Sequence, residues 1–64
     1  MATATAAAAF RATWRPGRRV QEVAAPRRRG TIRVVLGAGV NALILVGLDG
    51  VPPAIFGPAQ LILL

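Results

Sequence analysis

From Val34 to the last residue, Leu64, the only charge that breaks the apolar sequence is Asp49. Residues 34–48 hold fifteen consecutive positions without an ionisable side chain, nine of them Leu, Ile or Val. As a helix this run spans about 22 Å at roughly 1.5 Å per residue, or about 25 Å once Ile32 and a snorkelling Arg33 are added. That approaches the ~30 Å of a hydrocarbon core. The nine large aliphatics favour insertion by about 3–5 kcal/mol before Gly and Asn are counted against them. The pattern therefore predicts one short membrane helix from about residue 32 to residue 48. Asp49 and Gly50 close it, and Pro52 with Pro53 prevents the same helix from continuing. Residues 55–64 are apolar again, but Gly57 and Pro58 divide them into pieces too short to span.

The first half has the opposite character. The opening Ala/Thr tract is helix-permissive yet short, and is expected to be disordered in isolation. Phe10 and Trp14 stand at i, i+4, alongside Arg11, Arg15 and Arg18, until Pro16 and Gly17 interrupt the pattern. Pro26 introduces the block Arg27, Arg28, Arg29, Gly30, read as an extended basic linker. The expected fold class is accordingly mostly α. A disordered basic N-terminal arm (1–30) leads into a single short transmembrane helix (31–49), followed by a Pro-broken apolar C-terminal tail (50–64).

Charge sharpens this division. All eight arginines precede Val34, the formal net charge is +6, and Lys, Cys and His are absent. Guanidinium groups match phosphate oxygens, so the expected contacts of Arg27, Arg28, Arg29 and Arg33 are lipid headgroups, with Trp14 as an interfacial anchor. The implied partners are a bilayer with anionic headgroups and a larger membrane protein complex. Nucleic acid is an alternative, with Phe10 and Trp14 offered for stacking. Glu22 and Asp49 are the only carboxylates. With no Cys, His, Lys, Ser or Tyr to pair with them, no nucleophile and base can be assembled, so no catalytic residue, metal site or cofactor is expected.

On the expected helix, Gly37, Ala38, Asn41 and Ala42 fall on one side. Small residues there let a second helix approach closely, and an Asn amide hydrogen-bonds across such a contact, so these four are the candidate helix-packing residues. The same stretch, Gly37-Ala38-Gly39-Val40-Asn41-Ala42, resembles the G-x-G-x-x-G/A fingerprint of dinucleotide-binding Rossmann domains. That resemblance implies a pyrophosphate held over Gly37, Gly39 and Ala42. No second strand and no ribose-binding acid about twenty residues on accompany it. Arg28-Arg29-Gly30-Thr31-Ile32-Arg33 resembles a twin-arginine export signal except at Thr31, and the Ala/Thr/Arg-rich start resembles an organellar transit peptide without its Ser.

These features predict a non-catalytic, single-pass small membrane protein, an accessory subunit packed on a larger complex. Its membrane is that of a chloroplast or mitochondrion, or a bacterial inner membrane, with the N-terminus on the stromal, matrix or cytoplasmic side. The alternatives are a transit or export leader of a larger product, and a basic nucleic-acid-associated peptide.

Overall fold

The apolar run is cut in two by its glycines. Gly37 and Gly39 adopt φ of 76° and 72°, a left-handed conformation that a helix interior does not contain and that glycine takes without steric cost. They turn the chain through residues 37–42, with a single 3-10 turn at Gly39–Asn41. The flanking segments, rich in Val, Ile and Leu, pair as antiparallel strands. The computed structural model describes residues 5–64. It contains one helix, α1 (Ala6–Thr13), and five strands: β1 (Arg19–Glu22), β2 (Arg29–Leu36), β3 (Leu43–Leu48), β4 (Ala54–Phe56) and β5 (Leu61–Leu63).

The expectation of a mostly α chain with a transmembrane helix is thereby overturned. Among the described residues no helix is long and apolar enough to cross a membrane. Residues 34–48 approach a membrane's thickness as one continuous helix, whereas two apolar runs of strand length flanking a Gly-rich turn make a hairpin. The basic arm corrects in the same way. Part of the Ala/Thr tract is helical, with Thr5 Oγ1 accepting the Ala8 amide at 3.1 Å as an N-cap, while residues 1–4 lie outside the described residues. The Pro-broken tail contributes β4, a 3-10 turn at Pro58–Gln60 and β5.

The sheet runs in the order β4-β3-β2-β1-β5. Four strands form a meander, and the chain then returns to lay β5 antiparallel to β1. One face carries the core: Val20, Ile32, Ile44, Val46, Leu48 and Leu61 are buried, with Phe10, Trp14, Val35, Ala54, Phe56 and Leu63 packed around them. The hairpin joining β1 to β2 is clamped by Glu22, itself buried. Its carboxylate accepts the Arg28 backbone amide at 2.9 Å and the Arg28 guanidinium at 3.1 and 3.2 Å. A buried carboxylate requires such partners, and this one has three.

One irregularity decides which side chains face outward. Ile32 pairs with Val46 and Val34 with Leu45, so Arg33 is an extra residue, a β-bulge in β2. Strict alternation from Ile32 would place Val34 and Leu36 in the core. The bulge reverses the parity, and the inward position passes to Val35 opposite Ile44.

Candidate functional site

The reversed parity sends a cluster of aliphatic side chains to the outer face of the sheet. Val34 lies opposite Leu45, Leu36 opposite Leu43, and Leu45 opposite Ile55 on the edge strand β4. Together these five line a concavity of about 140 Å³ whose surface presents only carbon. Leu36 is 60% exposed and Ile55 63% exposed, values that separate them from the core residues on the same strands. Cross-strand neighbours of this kind merge into a continuous patch.

The other half of the same outer face is polar and cationic. Arg19 on β1 lies opposite Thr31 on β2, and Thr31 lies opposite Gly47 on β3. Arg19 donates to Thr31 Oγ1 at 3.0 Å and to Asp49 Oδ2 at 2.9 Å. That hydrogen bond holds the Asp49 carboxyl below its ordinary value. Both partners are exposed, so the pair adds little to stability. Arg29 donates its Nε to Gln21 Oε1 at 3.1 Å. Arg33 lies over Gly47, close enough that a Cβ there would collide with its Nε and stand 3.1 Å from Cζ and Nη2.

A second hollow, about 190 Å³, sits between the β1–β2 loop and Phe56, Ala59 and Gln60. Its polar side chains are already engaged. Glu22 is taken by Arg28, whose side-chain and backbone hydrogen bonds pull the Glu22 carboxyl below its ordinary value, and Gln60 Oε1 accepts the Gly57 amide at 2.9 Å.

The residues singled out from the sequence are dispersed by this fold. Gly37, Ala38, Asn41 and Ala42 belong to the β2–β3 turn rather than to a helix face, and Ala42 is buried in the domain itself. The Rossmann-like fingerprint leads into an antiparallel strand, so no helix N-terminus stands behind Gly37 and Gly39 to meet a pyrophosphate. The four candidate headgroup arginines do not share one environment. Arg27 is exposed in the β1–β2 loop at φ 56°, Arg28 clamps Glu22, Arg29 holds Gln21 and Arg33 covers Gly47. Trp14 stacks on Phe10 with ring centroids 6.0 Å apart, and both rings lean on the core.

The outer apolar cluster escaped the sequence reading because an uninterrupted apolar run carries no mark of which residues point outward. Arg33 between Ile32 and Val34 is what plain alternation also gives, so the sequence does not reveal the bulge. Among the described residues no group of His, Cys, Asp or Glu could hold a metal ion. No protein-family model, curated protein or solved structure matches the chain.

Proposed function

We propose that this protein is a non-catalytic accessory subunit that docks on a larger protein through the outer face of β2, β3 and β4. The observation that carries the reading is the concavity formed by Val34, Leu36, Leu43, Leu45 and Ile55. Contiguous exposed apolar patches rimmed by polar residues, where they are large, mark interaction surfaces. A concave, carbon-lined seat fits a protruding aliphatic or aromatic side chain, whereas a bilayer surface is met better by a convex apolar prominence. Filling it recovers about 1.5–3 kcal/mol for each large side chain taken out of water.

Charge selects the occupant. Arg19, Arg29 and Arg33 share the outer face with the seat, and the chain carries a formal +6. A second copy seated so that the two cationic halves overlap would bring these cations together, and like charges across an interface are disfavoured. An acidic protein surface meets no such penalty. Retention of the N-terminal arm is part of the reading, since loss of residues 1–30 would remove β1, its fully buried Val20 and the link between β2 and β5.

The test is site-specific photo-crosslinking of the full chain in its native host, with the photoreactive residue at position 43 in the seat and at position 12 on α1 as control. The expected result is one discrete heterologous adduct from position 43, absent from position 12 and lost when Ile55→Asp is added. An adduct of twice the chain's mass, an adduct unaffected by Ile55→Asp, or no adduct together with cosedimentation on phosphatidylglycerol vesicles would overturn the reading.

A further inference from the structure

Three arginines lie on the outer face, and their hydrogen bonds set them apart. Arg19 is committed to Asp49 and Thr31, and Arg29 directs its Nε to Gln21. Arg33 donates to no side-chain or backbone acceptor among the described residues, and its head group lies over Gly47. The bulge turns Arg33 outward beside Val34, and Gly47, lacking a Cβ, lets the guanidinium lie directly on β3. Gly47 and Leu45 are two residues apart on the same side of that strand, about 7 Å at the rise of an extended chain. A planar cation is thus stationed one i, i+2 step from the floor of the apolar seat.

Building on the docking reading, we propose that Arg33 makes the seat selective for acidic segments. The partner places a large apolar side chain among Val34, Leu36, Leu43, Leu45 and Ile55, and an Asp or Glu about 7 Å away accepts a two-pronged hydrogen bond from the Arg33 guanidinium. In an extended partner segment the two residues are separated by one position. Two features favour Arg33 over the other cations of this face. Its donors are unspent, so a carboxylate gains its hydrogen bonds without breaking others. It also adjoins the seat, so one short segment reaches both. Such fork-to-carboxylate contacts are shorter and stronger than neutral hydrogen bonds and carry orientation as well as attraction. Arg29 adds to the positive field of this face, and residue 33 makes the contact.

The experiment is selection of displayed random peptides of about twelve residues on the folded full-length chain, repeated on Arg33→Glu, Arg33→Gln, Arg11→Glu and Ile55→Asp after circular dichroism has verified their folds. Enrichment of a large apolar residue with Asp or Glu two positions away is expected on the unaltered chain. Arg33→Glu is expected to keep the apolar residue, lose the acid and bind the best peptide about 10- to 100-fold more weakly. Arg33→Gln should lose the acid preference without gaining a basic one. Arg11→Glu, which changes net charge equally on α1, should preserve the motif. An apolar motif without an acid, or equal weakening by Arg33→Glu and Arg11→Glu, would overturn the role of Arg33 while leaving the docking seat in place. Absence of any enriched motif, or binding indifferent to Ile55→Asp, would overturn the seat as well.

Discussion

Replacing Gly30 by alanine adds a methyl group at a point where the sheet has no space for it. An ideal Cβ on Gly30 would stand 2.6 Å from the Gly47 carbonyl oxygen and 2.7 Å from Val46 Cγ1. The first obstacle is backbone inside the β2–β3 ladder, and the second belongs to a side chain with no exposed surface. Neither can move without disturbing the core, so the substitution is overpacking, which costs about 1–3 kcal/mol. A domain of this size has only about 3–5 kcal/mol of net stability, so most of it is at risk. Gly47 on the neighbouring strand provides the contrast. Its added Cβ would meet only the distal end of Arg33, an exposed side chain that can swing into solvent. Neither glycine has a positive φ, so backbone strain is equal in the two variants and packing alone separates them. The assay is urea unfolding followed by fluorescence of Trp14, the one tryptophan, which leans on the core. With a slope of about 1 kcal/mol per molar urea, Gly30→Ala should lower the midpoint by about 1–3 M. Gly47→Ala should remain within about 0.5 kcal/mol of the unaltered chain. A Gly30→Ala midpoint equal to that of the unaltered chain, or an equal loss in both variants, would refute the register of β2 on β3 and with it the outward position of the apolar seat.

Three other outcomes follow from the same structure. Glu22 and Asp49 both have depressed carboxyl pKa values, so the unfolded chain binds protons that the folded chain refuses. Stability should be constant above the ordinary carboxylate range near about pH 4 and fall as the pH drops below it. In Glu22→Gln that acid-side loss should shrink to what Asp49 supplies, as checked by thermal melts over a pH series. Ile44→Ala, at a fully buried position, should cost about 2–5 kcal/mol and leave little folded sheet by far-ultraviolet circular dichroism, whereas Leu36→Asp on the outer face should leave that spectrum unchanged. Phe10→Ala should remove a ring contact worth about 0.5–1.5 kcal/mol beyond area burial, shifting Trp14 emission to the red while the sheet signal persists; an unshifted spectrum would place Trp14 outside the packing described for α1.

Several features were legible in the residues alone. The Asp49-Gly50 stop was visible, as was the break at Pro16-Gly17 between α1 and β1. The i, i+4 pairing of Phe10 with Trp14 was also visible, and the two rings do stack. The apolar stretch itself is plain in the sequence, but its form is not. Fifteen uncharged residues suit a helix in lipid or a pair of strands in a sheet, and hydrophobicity is the same in both. What distinguishes them is the left-handed conformation at Gly37 and Gly39, which the sequence pattern leaves open: Gly37 also suits a helix-packing face, and both glycines also suit a nucleotide fingerprint.

Composition and order along the chain thus determined the segregation of charge from grease, the lack of side chains for imidazole or thiol chemistry, and the places where the backbone must turn. They could not determine partners, because pairing is a long-range event: Val20 meets Leu63, and Arg19 meets Asp49, across 43 and 30 positions. Nor could they determine the direction of each side chain, since one extra residue at Arg33 exchanges inside for outside over the rest of β2. Only the assembled sheet settles that parity, because a bulge is a mismatch between two strands and has no meaning in one.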